Sequence, residues 1–576
     1  MVKVYLQEAC LRHQFIRSKD TSTVVERPER LRAVNVGIAA VLARTSELAT
    51  TARGTSSSTA SNKDEHSEDD LASAISKLNI AEPSGHASTQ SIVEVVKSSA
   101  KVNILNHAAV KYIHGDIGGD VYLEKLIKLS QESRDKIASG DIELPEGWPP
   151  GDLYLCPESM DAVQGALGTV CEAVDEIIGD LSSTSRAFVA VRPPGHHCGE
   201  DMPSGFCFVN NVAVAAAHAH LKHDITRVVI FDIDLHHGNG TQSIVWQINE
   251  ETYRVKLEEA YGAPAGKPGL QVFYGSLHDI LSYPCEDGKP ELVQAASVSI
   301  HGPHGQFIEN IHLDPYTNEE DFYRDVYEKK YSRLLEKAHD FITATGGTAK
   351  NDILVFISCG FDACEHEYES MSRHQRKVPV SFYHRFAQDA RRFADSMAGG
   401  RLISVLEGGY SDRALTSGVI AHLSGLGETE TVKAEPDWWK LDNLVALEKA
   451  TKKRRGGRQS VTKIEPWLEH ALEYLAQIDT TPPSVAAPLS MALRERTKPV
   501  STSSETSTAL PAPKAIRKRP KQKVAVKQEQ DKVSVAESIH PQGTTEELQT
   551  SEPVKKLPRV ILKLGPGPAK EEPYSH

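Results

Sequence analysis

The sequence predicts an α/β protein with a mostly parallel central sheet and helices on both faces, on three observations. Short β-branched runs alternate with longer helical patterns between about residues 102 and 425, and such alternation favours parallel strand pairing. Several of these runs end in Gly, Asp or His, at the strand ends where ligands bind in open α/β sheets. The chain has 576 residues, 39% of them hydrophobic, which is enough to bury a large core.

The predicted elements follow one another along a single folded domain, residues 1–480. The strands are RAFVAV (186–191), RVVIF (227–231), DILVFIS (352–358) and RLISVLE (401–407). Helical stretches such as NNVAVAAAHAHLK (210–222) and FYRDVYEKKYSRLLEKAHDFI (322–342) separate them. Apolar residues at helical spacing continue to Ile478, which predicts folded structure up to that point.

Two composition shifts predict segments without a packed core. The stretch TARGTSSSTASNKDEHSEDD (51–70) is rich in Ser and Thr and then acidic, so a disordered insertion is expected at about 46–92. The Pro/Ser/Lys-rich residues 481–576 are expected to form a disordered basic tail.

Composition excludes several classes of protein. The net charge of -13 argues against a nucleic-acid-binding protein. None of the 8 cysteines has CxxC spacing, so neither a zinc finger nor a thioredoxin-type site is indicated. No continuous apolar run resembles a signal peptide or a membrane helix. The sequence therefore predicts a soluble intracellular protein with reduced thiols.

The stretch RVVIFDIDLHHGNGTQ (227–242) predicts a metal site. Asp232, Asp234 and His236 share one face if the strand continues, and burying two carboxylates is costly without a positive charge beside them. Asp and His ligands suit zinc, and catalytic zinc sites use three protein ligands. Asp362, after the strand in FISCGFDAC, is the candidate third ligand. The alternatives are a solvent-exposed polar strand end and an ordinary loop or N-cap Asp.

Two further motifs carry groups suited to acid–base chemistry. His196 and His197 follow a rigid Pro-Pro-Gly turn, where two imidazoles near a metal-activated water would act as base and electrostatic partner. Asp232 is expected to polarise one of them and Asn239 to orient the other. Tyr410 in SVLEGGY is placed to donate to a developing oxyanion. A surface His pair and a merely packed Tyr are the alternatives.

Together these motifs resemble the zinc-dependent histone deacetylase family. RPPGHH, SGFCFVNNVA, DIDLHHGNGTQ, SLHD, GFDA and LEGGY occur in the family's order, and RPERLRAV (27–34) is similar to its N-terminal helix motif. RPPGHH, Asn239 and EGGY resemble class II, and HGDIGGDVYLEKL, GDLYLCPESMDAVQGALGTVCEAVDE and HGQFIENIHL resemble the fungal HOS-three-like subfamily. The resemblance implies an arginase/deacetylase-like fold.

The resemblance also implies a role for each matched residue. It implies one catalytic zinc ion held by Asp234, His236 and Asp362. The implied catalytic residues are His196, His197, Asp232, Asn239 and Tyr410. The implied substrate-binding residues are Gly205, Phe206, Tyr283 and Asp152. A structural potassium ion is implied at Asp232, Asp234, His236, Ser276 and Leu277. Arg30 matches an arginine that lines an acetate exit channel.

Three departures from the family pattern bear on substrate choice. Tyr283 stands where the tunnel wall is usually Phe, and ACEHEYESM follows Asp362 in place of the usual Gly-Asp-Pro run. The segment INEETYRVKLEEAYGAPAGKPG predicts an extra loop at about 247–270. None of these changes removes a catalytic group.

The function expected from the resemblance is hydrolysis of acetyl-lysine in histones or other proteins, contributing to transcriptional repression. The open alternatives are an acetylpolyamine or other acyl-lysine amidohydrolase, a binuclear ureohydrolase-like enzyme, and a non-enzymatic scaffold. Acetylated histone tails are the expected partners, without sequence-specific nucleic-acid or membrane binding, and homodimerisation is left open. Basic clusters at 452–458 and 514–523 predict a nuclear location, with the cytoplasm as the alternative. The segment 558–568 is a candidate partner-binding strand.

Overall fold

A computed structural model of the chain describes residues 1–56, 91–115, 121–179, 185–346, 350–371, 374–430, 432–452 and 465–481. The strands in this part of the chain are β1 (Val2–Gln7), β2 (Val93–Ser98), β3 (Arg186–Ala190), β4 (Arg227–Asp232), β5 (Gln271–His278), β6 (Ser299–His301), β7 (Phe307–His312), β8 (Ile353–Cys359) and β9 (Leu402–Leu406). The helices are α1 (Glu29–Ser56), α2 (Ala108–His114), α3 (Val121–Ala138), α4 (Ser159–Gly179), α5 (Asn211–His223), α6 (Asn239–Ala260), α7 (Pro290–Ala295), α8 (Glu319–Asp321), a π-helical segment (Phe322–Tyr331), α9 (Arg333–Thr345), α10 (Val380–Met397), α11 (Asp412–Gly427), α12 (Leu441–Thr451) and α13 (Pro466–Ile478).

The strands form one sheet in the order β2-β1-β3-β9-β8-β4-β5-β7-β6. All neighbours pair in parallel except β6 and β7, which pair in antiparallel fashion. Every residue of β4, β5, β8 and β9 is buried, so both faces of these strands are covered. The predicted α/β fold class is therefore confirmed.

The predicted strands agree with the observed ones to within a residue or two, because continuous β-branched runs suit strands buried on both faces. The predicted helix over 322–342 is a π-helical segment followed by α9. Strands β1, β2, β5, β6 and β7 were not among the predicted strands; in β2 the valines are interrupted by Glu94. The last described helix ends at Ile478, as predicted.

The insertion expected at about 46–92 is wrong in its first part. Helix α1 continues to Ser56, with Leu48 against the core and the Ser46 hydroxyl donating to a backbone carbonyl of the same helix. Packing of α1 against α11 and α13 supports a helix that the Ser/Thr-rich composition argued against. Residues 57–90 of the expected insertion lie outside the described residues.

The extra loop expected at about 247–270 is wrong in its first half as well. Helix α6 runs on to Ala260, and only residues 261–270 form a connection to β5. The buried Thr252 hydroxyl donates to the carbonyl of Leu270 at 2.6 Å, which ties the end of that connection back to the helix. The segment thus lengthens a helix and adds little loop.

Two remaining expectations concern parts of the chain beyond the described residues. The tail at 481–576 has only Thr481 among them, and the basic cluster at 452–458 only Lys452. The second basic cluster and the segment 558–568 lie wholly outside. No helix among the described residues is both long enough and apolar enough to cross a membrane.

Candidate functional site

Four neighbouring strands bring the predicted site together. In the sheet, β3, β9, β8 and β4 are adjacent and parallel, so their carboxyl ends meet at one edge. The segments that leave this edge carry the His196–His197 pair, Asp234 and His236, Asp362 and the LEGGY motif. Residues as distant in the chain as His196 and Tyr410 therefore share one pocket because of strand order.

The three predicted metal ligands lie together. One ligand atom from each of Asp234, His236 and Asp362 falls within 4.8 Å of the others. The His236 Nδ1 atom is 3.2 Å from Asp234 Oδ1 and 3.0 Å from Asp362 Oδ2. Both carboxylates are fully buried. The three side chains form a compact donor set of two oxygens and one imidazole nitrogen, which is suited to a divalent cation.

The strand does not continue through these ligands, so the condition for one shared face is not met. Strand β4 ends at Asp232, and side-chain hydrogen bonds shape the turn that follows. Asp232 Oδ1 accepts from the Asp234 N–H at 3.2 Å, and Asp234 Oδ1 accepts from the His236 N–H at 2.9 Å. Asp232 therefore lies beside His196, whereas Asp234 and His236 lie beside Asp362.

The electrostatics of the cluster fit a bound cation. Burial opposes a charge on His236, yet its hydrogen bonds to Asp234 and Asp362 raise its pKa to about 10. Burial and the neighbouring Asp234 carboxylate raise the pKa of Asp362. Two buried acids thus favour positive charge at this point, and a metal ion would supply it. A Cβ at Gly408 would lie 2.2 Å from Asp362 Oδ2, so only glycine leaves the carboxylate this space.

His196 and His197 lie beside the predicted metal ligands, and the two imidazoles have different surroundings. His196 Nδ1 is 3.3 Å from Asp232 Oδ2, and His197 Nδ1 is 2.8 Å from Asn239 Oδ1. Burial opposes charge on His196, but Asp234 and Asp232 raise its pKa to about 10. Burial and the charges of His196 and His236 lower the pKa of His197 well below its usual value. The surroundings thus favour a positive charge on His196 and a neutral His197.

Tyr410 closes the pocket from the LEGGY turn. Its ring lies 5.6 Å from that of Phe206, and burial raises its pKa well above the usual value. The hydroxyl therefore keeps its proton at neutral pH and can donate a hydrogen bond. Arg30 holds this turn: its guanidinium donates to the carbonyls of Gly409 at 2.6 Å and Glu407 at 2.5 Å and lies 5.0 Å from the Tyr410 ring.

The predicted substrate-binding residues line the approach to this pocket. The Tyr283 ring stands edge-on to His197 at 4.9 Å, and its hydroxyl is hydrogen-bonded to Ser204. Burial raises the pKa of Tyr283 to about 12, with a smaller contribution from the nearby Asp152. Gly205 has a φ of +48°, and a Cβ there would fall 2.3 Å from the His197 ring, which explains the glycine.

The residues predicted for a potassium ion lie behind the cluster. Ser276 on β5 is in register with Asp232 on β4, and Ser276 and Leu277 are both buried. The Ser276 hydroxyl is 2.9 Å from His278 Nδ1. The structure thus brings these residues together beside the predicted metal ligands, and their binding of potassium stays a prediction.

Sequence reasoning missed two buried acids that hold the catalytic loops. Glu367 accepts the N–H groups of Tyr410 at 2.7 Å and Ser411 at 2.8 Å. Glu407 accepts the N–H groups of Gly195 at 2.7 Å and His196 at 3.2 Å. Burial raises the pKa of Glu367 to about 8 and that of Glu407 to about 7. The sequence signal for these acids was their position alone: Glu367 lies in ACEHEYESM and Glu407 in LEGGY.

A third buried acid, Glu26, binds Arg30, whose guanidinium holds the Tyr410 turn. It bonds Arg30 at 3.0 Å and Arg192 at 2.8 and 2.6 Å, and all three side chains are fully buried. Replacing Glu26 by Ala is expected to lower the free energy of unfolding by about 3–5 kcal/mol, because two arginines would lose their buried counter-charge. Urea denaturation measures this, with the exposed Glu8→Ala as control; equal stability of the two variants would contradict it.

The described residues do not support the second metal ion that a binuclear ureohydrolase-like enzyme would need. The position that would carry its bridging acid is Cys364, whose Sγ lies 3.8 Å from the Ser417 hydroxyl and accepts from the His366 N–H. Burial raises the pKa of this thiol to about 12, so it stays neutral. All 8 cysteines are free and buried.

Parallel strands that converge on buried acids, imidazoles and a tyrosine define an α/β protein with a candidate metal-binding pocket. The chain belongs to the histone deacetylase family, because the histone deacetylase domain model matches residues 79–426. The family predicted from the sequence motifs is therefore confirmed.

Individual relatives agree with this assignment. The chain is 41% identical over 332 residues to histone deacetylase HOS3 of Saccharomyces cerevisiae, covering 55% of this chain and 47% of the relative. It is 29% identical to type-2 histone deacetylase 1 of Dictyostelium discoideum, over 49% of this chain and 20% of the relative. The match thus spans less than half the length of either relative. The HDA15 HD domain crystal structure aligns with a TM-score of 0.47 at 21% identity, over 83% of this chain and 99% of that one.

Proposed function

We propose that this protein is a metal-dependent deacetylase that hydrolyses the acetyl amide of acetyl-lysine in histones or other proteins. The observation that carries the proposal is the position of His196 on Asp232 and of His197 on Asn239, beside the Asp234, His236 and Asp362 cluster. Membership of the histone deacetylase family supports it.

The donor set favours zinc, held by Asp234, His236 and Asp362. When bound, the ion would lower the pKa of a water molecule toward about 7 and polarise the acetyl carbonyl. Potassium at Ser276 and Leu277 is part of the same proposal.

The side chains divide the proton transfers between them. His197 is neutral and oriented by Asn239, so it accepts the proton of the attacking water and later protonates the leaving lysine amine. His196 is held cationic by Asp232 and Asp234 and stabilises the negative charge of the transition state. The Tyr410 hydroxyl donates to the oxygen on which that charge develops.

The approach to the pocket selects the substrate chain. Phe206 and Tyr283 bound the passage, with the Gly205 turn against His197. The Tyr283 hydroxyl places a polar group on this wall, where the family usually has Phe. Asp152 lies near Tyr283 and is proposed to grip the substrate backbone. Arg30 is proposed to line the exit of acetate.

The test is turnover of an acetyl-lysine histone-tail peptide by the purified full-length chain, with metal content measured on the same sample. Release of acetate is the expected result, with one zinc ion in the pocket that Asp234→Ala removes. If the metal-loaded protein hydrolyses acetylpolyamines but not the peptide, acetylpolyamines take the place of acetyl-lysine as the proposed substrate. A metal-loaded protein inactive on both would count against hydrolysis.

A role in transcriptional repression and a nuclear location extend this proposal. The basic clusters at 452–458 and 514–523 support import. Replacing the arginines and lysines of both clusters by alanine is expected to move a fluorescent fusion of the full chain to the cytoplasm. Unchanged nuclear fluorescence would remove this part of the proposal.

Glu367→Gln tests how the Tyr410 turn is held. Both Glu367 oxygens accept backbone N–H groups, whereas the Gln amide nitrogen would face one of those donors. We expect kcat to fall about tenfold to a hundredfold, from the loss of about 1.5–3 kcal/mol in the loop, with KM and metal content unchanged. Steady-state kinetics with the exposed Glu369→Gln as control measures this. A change in KM alone would mean that Glu367 acts on substrate binding instead.

A further inference from the structure

Outside the pocket, the described residues contain a second concentration of metal-ligating side chains. Helix α4 contributes Asp175 and α5 contributes His218, while His223 is the last residue of α5. One ligand atom from each of the three falls within 4.8 Å of the others. We propose that Asp175, His218 and His223 bind a structural zinc ion that joins the ends of α4 and α5.

The two imidazoles converge on a single carboxylate oxygen. Asp175 Oδ1 is 2.9 Å from His218 Nε2 and 2.7 Å from His223 Nε2. Ligand atoms around tetrahedral zinc lie about 3.3 Å apart, given bonds of about 2.0–2.1 Å. Widening each of the two Asp175–imidazole distances by about half an ångström would bring it to this value.

The protonation states of the donors suit metal binding. Burial lowers the pKa of His218, so its imidazole is neutral at neutral pH. Burial opposes ionisation of Asp175, but hydrogen bonds from Lys222, His223 and His218 lower its pKa to about 2. Lys222 contacts Oδ2, at 2.8 Å, and leaves Oδ1 to the imidazoles. Zinc binds an anionic oxygen and a neutral imidazole directly, because neither group has to lose a proton first.

A second set of donors adjoins the first and shares His218. The ligand atoms of His107, Cys171 and His218 also lie within 4.8 Å of one another, and the His107 ring stacks on that of His218 at 5.4 Å. The buried Nδ1 atom of His107 has no hydrogen-bond partner among the described residues. Structural zinc sites use four protein ligands, and His107 and Cys171 are described neighbours of His218 that offer a further ligand atom.

The cluster is open to ions from solvent and separate from the catalytic pocket. The side chains of Asp175, His223 and His218 are 36%, 18% and 10% exposed. Helix α5 leads through Asp224 and Ile225 into β4, the strand whose carboxyl end carries the catalytic ligands. An ion here would fix the start of that strand without touching the reaction.

The experiment counts zinc by mass spectrometry in tag-free full-length protein equilibrated with zinc chloride and freed of excess. The wild type is expected to hold two ions per chain, and Asp234→Ala and His218→Gln/His223→Gln one each. The combined variant is expected to hold none. The exposed His339→Gln, on another helix, is the control and keeps both ions.

A second readout separates zinc loss from misfolding. In the Asp234→Ala background, added zinc should raise the melting temperature, because it binds only the folded state, and Asp175→Asn should abolish that rise while circular dichroism stays unchanged. One ion in the wild type and none in Asp234→Ala would overturn the proposal. So would two ions in His218→Gln/His223→Gln. Peptide hydrolysis by that variant is expected to persist, so the result is independent of the proposed deacetylase activity.

Discussion

Replacing Asp234 by alanine is expected to remove both the metal ion of the catalytic pocket and the hydrolysis of acetyl-lysine. The fully buried Asp234 supplies a ligand oxygen, and its Oδ2 also accepts the N–H of Gly408 at 2.8 Å. Its carboxylate is the largest favourable influence on the charge of His196. One substitution therefore takes away a ligand, the partner of a catalytic imidazole and a contact to the Tyr410 turn.

The expected loss of kcat/KM is about 10³-fold or more, corresponding to several kcal/mol of transition-state stabilisation. Metal analysis and peptide turnover on the same preparation measure it, with the exposed Asp340→Ala on α9 as control. Full metal content together with undiminished turnover would show that Asp234 is not a ligand. Full metal content with lost turnover would assign Asp234 to the charge of His196 alone.

Replacing Tyr410 by phenylalanine is expected to lower kcat by about 10²–10³, as the loss of one oxyanion donor does in other enzymes. The reason is the retained proton of the buried hydroxyl, which faces the pocket from the Gly408-Gly409 turn. Because Tyr410 is no metal ligand in this proposal, metal content is expected to stay at the wild-type level. KM is expected to change little, since the donor acts on charge that develops only in the transition state.

The chain offers a matched control in Tyr383. Its hydroxyl is also buried but has no hydrogen-bond partner among the described residues, and its ring lies 5.0 Å from that of Phe361. Tyr383→Phe therefore removes the same atom from a similar environment and should leave turnover unchanged. Equal rates for Tyr410→Phe and wild type would remove the tyrosine from the mechanism. Equal losses in both variants would indicate a general effect of removing a buried hydroxyl.

The site could be predicted from the sequence because its chemistry is concentrated in short motifs. Asp232, Asp234 and His236 occur within five residues, and the adjacent His196 and His197 follow one strand directly. Such local patterns indicate which strand end bears charge, and strand ends in an α/β sheet are where sites form. The four predicted strands could be recognised in the same way, since each contains a continuous apolar run.

What lies between motifs was much harder to predict. Composition argued for an insertion after residue 46, but packing against α13 continues helix α1 to Ser56. The sequence left open whether the strand continues past Asp232, and side-chain hydrogen bonds of the following turn end it there. In both places contacts that a local pattern does not contain outweigh intrinsic preference.

The sequence by itself determined the fold class and the family and predicted the candidate catalytic side chains, because each depends on residue types at short spacing. Only the tertiary structure decided which imidazole is charged, since the pKa of His196 and of His197 depends on carboxylates from β4 and its following turn. It also decided that Glu26, Glu367 and Glu407 hold the catalytic loops. A buried acid looks like any other acid in the sequence, and its role arises from the distant N–H and guanidinium groups that folding brings to it.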